Sequence, residues 1–469
     1  MNSLDHPIQG VTLPALRGRM LAVPGLLILM MLSVGLAFAL YLLPPTSFAL
    51  VVVGAMAAIA VLALAVARYD AAVALGFAIF GVVQFQPAPT DFVFICVIAV
   101  AAVTGRFNID RLPMSVIGTV GAFVTINILS MTEVIAVGHA AIFLTITIYL
   151  AVFSIWLANY VDGPRRARIV FGAYLFAAVT SALIGVLAVI APLPGKETFL
   201  YGGDRAMALF KDPNVFGPFL VPAALILLED ILRPRVLRVR PSLKVAMLML
   251  LVLGVVLSFS RAAWLNLALG IFLLFAVLLV SRNSARQALR LLTLMLVFAA
   301  ATIAVLSATG SIHFLDERAS VQHYDNQRFG AQKFGIDYAE HHPLGAGPGQ
   351  FDVISPISAH STYVRVLVEQ GFLGLAILVA IILVTVVLAV RNCTLGRSTY
   401  GIGAGALLGA WCGALANSFF VDTLHWRHLW LVAALIWAGA MRGAPRPDPD
   451  MDRIEPPRRE PAPELPINL

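Results

Sequence analysis

Charge is scarce in this chain. Asp, Glu, Lys and Arg make up 12% of it, against 60% hydrophobic residues; a soluble domain carries about 25% and about 45–50%. That imbalance excludes an ordinary globular core. Cysteine is scarce too: Cys96 and Cys412 fall in apolar runs and Cys393 in a short basic loop, which excludes a disulfide framework and a CxxC zinc pattern. Alternation of polar and apolar residues in segments of about ten is missing, which excludes a β-barrel. No small-residue cleavage site follows the first apolar run, so no removable signal peptide is expected. No Gly-Lys-Ser/Thr closes a phosphate loop, and no internal repeat marks an inverted-repeat transporter.

What the chain has is long apolar runs, such as 26–43, 48–67 and 265–280. A hydrocarbon span needs roughly 20 such residues. The expected fold is therefore all-α, a polytopic transmembrane bundle of about 12–14 spans. Fourteen are read, at about 21–43, 47–67, 71–86, 91–105, 114–130, 138–160, 169–192, 214–232, 243–259, 262–281, 291–308, 363–390, 401–421 and 427–441. The third and fourth are short enough to be buried partly in protein rather than lipid. Residues 1–20 read as a cytoplasmic tail. Residues 21–308 hold eleven spans and a short outward loop at 193–213. A large outward loop with short helices fills 309–362, three spans follow over 363–441, and 442–469 is a tail too polar to fold.

Lys and Arg orient the bundle, because they concentrate on the cytoplasmic side. With the N-terminus inside, every inside segment is basic, including Arg165, Arg166, Arg168 and the run from Arg233 to Arg240. The basic residues left outside are Lys196, Arg205, Lys211, Arg261, Arg318, Arg328, Lys333, Arg365 and Arg427. The expected topology places both termini on the cytoplasmic side.

Several of these outward cations stand in motifs. Arg261 lies in Ser258-Phe259-Ser260-Arg261-Ala262-Ala263-Trp264, where two apolar runs meet. It either snorkels to the interface or forks onto a phosphate. Arg205 and Lys211 lie in Tyr201-Gly202-Gly203-Asp204-Arg205 and Phe210-Lys211-Asp212-Pro213-Asn214. Asp212 or Asn214 reads as a helix cap with Pro213 setting the first turn; Arg205 has no such task. Arg328 opens a helical stretch through Ala331, Phe334 and Tyr338, followed by His341-His342-Pro343-Leu344-Gly345-Ala346-Gly347-Pro348-Gly349. Gly345 and Gly347 permit either a sharp reversal or a turn whose N–H groups meet an anion. His360 precedes a helix on which Arg365 and Glu369, four residues apart, can pair; as a histidine it titrates near neutrality. Asp422, His425, Arg427 and His428 share the last outward turn, with no third ligand to make His425 and His428 a metal site.

Together these elements resemble the O-antigen ligase and polymerase superfamily. The resemblance rests on Ser260-Arg261 with Trp264 and Gly270, on Arg205 through Asp212-Pro213-Asn214, on Arg328 through Pro343-Leu344-Gly345-Ala346-Gly347, and on His360-Ser361 followed by Tyr363, Leu367 and Gly371. It covers roughly residues 200 to 375. Family members more often carry His-Asn where this chain has His360-Ser361. The resemblance implies a GT-C-like, metal-independent transferase without cofactor. Its partners are an undecaprenyl-diphosphate-linked glycan, a glycan or lipid A-core acceptor and the bilayer, with no nucleic acid. It implies Arg261, Arg328 and His360 as catalytic residues, with Arg205 and Asp422 as weaker carry-overs. Lys211, Arg365, Gly345 and Gly347 join these two as candidate substrate contacts. A polymerase of the same superfamily is the alternative within the class. A non-enzymatic polysaccharide or lipid transporter or flippase is the alternative outside it. Ion coupling calls for midplane carboxylates, whereas the acidic residues here cluster at span ends, which argues against a coupled transporter and not against a passive scramblase.

Overall fold

The computed structural model describes residues 48–85, 87–192, 194–233, 235–280, 285–308 and 323–441. The expected tails 1–20 and 442–469, the first span 21–43 and residues 309–322 of the long loop lie outside the described residues. Fifteen α-helices are described: α1 Phe48–Ala67, α2 Tyr69–Ala78, α3 Pro89–Val103, α4 Met114–Leu129, α5 Val137–Tyr160, α6 Pro164–Ile190, α7 Pro213–Leu232, α8 Pro241–Leu257, α9 Arg261–Val280, α10 Ala285–Ala308, α11 His323–His341, α12 Phe351–Ile354, α13 Thr362–Thr394, α14 Ala404–Asn417 and α15 Arg427–Gly439. One small antiparallel hairpin, β1 Leu200–Tyr201 and β2 Arg205–Ala206, precedes α7. Among the described residues, six helical segments are long and apolar enough to cross a membrane: Met114–Glu133, Val137–Tyr160, Pro164–Ile190, Pro213–Leu232, Arg261–Val280 and Thr362–Thr394. The fold is an all-α polytopic membrane bundle.

Each expected span after the first coincides with an apolar helix, but the third is cut short. Instead of 71–86, α2 ends at Ala78. At 1.5 Å per residue such a helix reaches about half of a ~30 Å hydrocarbon layer. Beyond it the backbone leaves the helical ladder, and Val83 N–H donates instead to Leu209 O at 3.0 Å. The half-helix is shielded by protein: Phe77 and Phe80 are buried against Phe94, Phe153, Tyr174 and Phe219.

Between helices in lipid, close backbone approach replaces the hydrophobic drive available in water. The α9–α14 seam is built that way. Gly409 lies so near α9 that a Cβ there would sit 2.5 Å from Gly270 O, and one at Gly413 would sit 2.5 Å from Asn266 O. Overpacking of this kind costs about 1–3 kcal/mol. Gly409→Val is therefore expected to lower the melting temperature in detergent by several degrees. An unchanged melting curve would mean that the seam opens without cost.

The two ends of the bundle differ. At one end, the last turn of α7 is locked by buried ions. Lys244 Nζ donates to Asp230 Oδ2 at 2.7 Å, and Asp230 Oδ1 accepts from Arg235 N and Val236 N. Glu229 Oε2 accepts from Ala406 N at 2.6 Å and so caps the start of α14. At the other end lie the start of α7, the α8–α9 turn, α11 and the start of α13, and there the bundle holds a cavity.

α13 is two helices joined at a break. Gly371 has φ 70° and ψ −172°. The Pro343–Gly349 loop docks into the break: Ala346 N–H donates to Val368 O and Gly347 N–H to Glu369 O, both at 2.8 Å, while Phe372 N–H returns to Pro343 O at 3.3 Å. A Cβ at Gly345 would lie 2.5 Å from Glu369 O, and one at Gly371 would lie 2.1 Å from Pro343 O. Only glycine fits both the left-handed backbone and the gap.

Candidate active site

The sites for the candidate side chains are made locally. In the hairpin, Gly202 and Gly203 take φ 65° and 90° to close the turn, and the register sets Tyr201 opposite Arg205. Arg205 is buried. Its Nε donates to Ser258 O at 3.1 Å and its Nη2 to Asn214 Oδ1 at 3.2 Å, so the hairpin is tied to the α8–α9 turn and to α7. Asp212 caps α7 by accepting from Asn214 N at 2.7 Å, with Pro213 in the first helical position. Phe259, at φ 47°, reverses the chain between α8 and α9. Ser260 Oγ accepts from Ala263 N at 3.4 Å, which leaves Arg261 as the first residue of α9.

These pieces meet around one cavity of about 750 Å³. Arg205, Arg261, Arg328 and His360 all line it, with Asp212 as the carboxylate of the lining. Aromatic and apolar groups complete the wall: Tyr201, Phe259, Phe329, Ile357, Phe420 and Val421. Three arginines against one aspartate make the space cationic, suited to a multiply charged anion; guanidinium groups bind phosphate oxygens in forked pairs.

His360 stands where the loop meets α13. Its φ of 44° is unusual for a residue with a Cβ. Gln332 Nε2 holds its carbonyl at 3.4 Å, reaching from α11 one turn beyond Arg328. Burial lowers the pKa of the imidazole; Arg328 lowers it further, Asp212 opposes, Arg365 lowers it and Asp352 opposes. The shift favours the neutral ring, the form that accepts a proton.

The other expected contacts stand elsewhere. Lys211 is exposed and outside the cavity lining. Gly345 and Gly347 are away from the cavity, and their N–H groups are taken up by His342 O and Glu369 O. The anion-facing turn is, in the structure, a docking turn. Arg365 and Asp422 face each other, 2.8 Å apart, outside the lining. His425 and His428 diverge. His425 Nε2 is 3.0 Å from Thr147 Oγ1, with burial pushing its pKa down to about 4, whereas His428 packs on Phe219 and Trp426. Among the described residues no group of His, Cys, Asp and Glu is arranged to hold a metal ion.

Sequence reasoning missed Gln332 and the second task of Asp212. Gln332 was within reach, since it lies four residues from Arg328 on one helix face. Asp212 satisfied a capping pattern, which concealed its place in the lining. Phe420 and Val421 carried no polar signal at all.

The fold and the cavity define a multi-pass membrane protein with a cationic, histidine-bearing chamber at one end of its bundle. Residues 246–379 match the family model described as O-Antigen ligase, Wzy_C, which supports the O-antigen ligase superfamily for this chain. Arg261, Arg328 and His360 fall inside the match; Arg205 precedes it. The family points to a glycosyltransferase-like ligase, and so to a lipid-linked glycan and an acceptor as substrates in the membrane. No curated protein matches the chain.

Proposed function

We propose that this protein transfers a glycan from undecaprenyl diphosphate to an acceptor hydroxyl on the periplasmic face of the bacterial inner membrane, as an O-antigen ligase-like enzyme of lipopolysaccharide or exopolysaccharide assembly. One observation carries the reading: Arg205, Arg261, Arg328 and His360, separated by up to 155 positions in the chain, line a single cavity. Its orientation is supported by the basic residues at the opposite end, Arg165, Arg166 and Arg233–Arg240 among them, which belong on the cytoplasmic side.

In this reading the acceptor oxygen attacks the anomeric carbon. The bond from that carbon to the diphosphate oxygen breaks, and undecaprenyl diphosphate leaves with the bonding pair. Arg261 and Arg328 stabilise the charge that grows on the leaving oxygens. Neutral His360 takes the acceptor's proton. A single displacement inverts the anomeric configuration. Guanidinium groups do the electrostatic work, so the reaction is proposed to need no metal.

The test is transfer by the full chain in proteoliposomes, supplied with an undecaprenyl-diphosphate glycan and with EDTA present. Expected products are the glycosylated acceptor, inverted at its new linkage, and free undecaprenyl diphosphate. A lipid A-core acceptor marks a ligase, whereas elongation of a second lipid-linked repeat marks a polymerase. Retained configuration, or no transfer to either acceptor, overturns the proposal.

A further inference from the structure

We propose that Arg365 is a positioning residue for His360, joining the chain segments that converge on the histidine and so setting where the imidazole stands. This rests on the glycan-transfer reading above. Arg365 is 3% exposed and lies outside the cavity lining. Its Nη2 donates to both Asp352 carboxylate oxygens at 3.0 Å and to Ser358 Oγ at 2.9 Å. Its Nη1 donates to Glu369 Oε1 at 3.1 Å, and its Nε lies 2.8 Å from Asp422 Oδ2. The rings of Phe143 and Phe351 stand 5.5 and 6.0 Å from the guanidinium carbon.

The four partners come from three approaches to His360. Asp352 and Ser358 lie on the stretch that leads into it. Glu369 lies on the helix that leaves it. Asp422 lies on the turn after α14, next to Phe420 and Val421 of the cavity wall. That turn is bonded to the start of α13 as well: Thr362 N donates to Ser418 O at 2.9 Å, Thr423 N to Thr362 Oγ1 at 2.7 Å, and Thr362 Oγ1 to Asp422 Oδ1 at 3.3 Å. A left-handed histidine persists only where its surroundings over-determine it, and Arg365 is the side chain that links all of these surroundings. A lysine has no planar fork with which to hold three carboxylates and a hydroxyl in fixed directions.

Charge supplies a second readout. The charged groups that act on His360 come from several elements: Arg328 from α11, Asp212 from the cap of α7, Arg365 from α13 and Asp352 from α12. Arg205 from the hairpin and Arg261 from α9 share the cavity, and Asp422 stands behind Arg365. A neutral residue at 365 leaves the carboxylates uncompensated and favours the imidazolium. Lysine keeps the charge.

The experiment measures kcat, KM and pH profiles of the full chain in proteoliposomes with an undecaprenyl-diphosphate-linked glycan and its acceptor. Wild type and His360→Ala are run first; no transfer by the wild type, or undiminished transfer by His360→Ala, defeats the transfer reading itself. With both behaving as expected, Arg365→Lys, Arg365→Gln and Asp422→Asn should lose kcat by roughly 10–100-fold, the scale of an ångström's misplacement. KM for the lipid-linked glycan should stay within about twofold. The acid limb of the rate profile should move to higher pH in Arg365→Gln and stay in Arg365→Lys. A raised KM with kcat intact makes Arg365 a substrate contact and overturns the proposal, as does wild-type kcat in Arg365→Lys and Asp422→Asn. If the Arg365 variants fail to accumulate, Asp422→Asn decides alone by the same split between kcat and KM, since its carboxylate is partly exposed.

Discussion

Replacing Arg261 with alanine is expected to lower the rate of glycan transfer by roughly 10²–10³, the usual cost of losing one preorganised donor to a developing anion. The expectation follows from where the residue stands. The left-handed Phe259 turn and the Ser260 cap put Arg261 at the first position of α9, on the cavity wall. The N-terminus of a helix adds its own positive potential to that of the side chain. Arg261→Lys should recover only part of the rate, because an ammonium cannot span two phosphate oxygens in one plane. Arg328→Ala should lose rate on the same scale. Single-turnover transfer in proteoliposomes measures both, with membrane insertion confirmed separately. Full activity of Arg261→Ala would remove the electrostatic basis of the mechanism.

The second large effect belongs to His360. His360→Ala is expected to reduce kcat by roughly 10²–10⁴, the range of general-base assistance. pH dependence identifies the role. Burial and the nearby arginines lower the imidazole's pKa. The competent neutral form therefore predominates above the lowered value, and activity should persist below pH 6.5 before it falls. A rate that climbs as pH drops through that range, or a His360→Ala enzyme that retains the wild-type acid limb, contradicts a proton-accepting histidine.

Much of the bundle was legible in advance because hydrocarbon imposes a simple demand. A run of about 20 apolar residues has few alternatives to a helix. The demand is weaker where protein replaces lipid, which is why α2 stops at Ala78 while the hydropathy runs on. Arg261, Arg328 and His360 stand out in the sequence because cations and a titratable ring are rare in so apolar a chain, and the fold brings the three to one cavity. The companions of these residues were harder to see. Arg365 carries the same charge as Arg261, but its use depends on Asp352 and Asp422, which chain order keeps 70 positions apart. The glycines of the Pro343–Gly349 loop announced an unusual backbone and not its cause, which is a break in another helix. A composition-level signal cannot separate a side chain aimed at a ligand from one aimed at a neighbour.

The chamber draws its walls from residues 201–214, 259–265, 327–332, 357–360 and 420–421. Such a scattered inventory has a bearing on biogenesis. While the ribosome feeds helices into the bilayer one after another, the hairpin and the start of α9 arrive first, Arg328 and His360 follow, and residues 420–421 come only with the turn between α14 and α15. Until that turn is in place the chamber lacks part of its wall, so the cavity is completed only after nearly all of the described helices have been made.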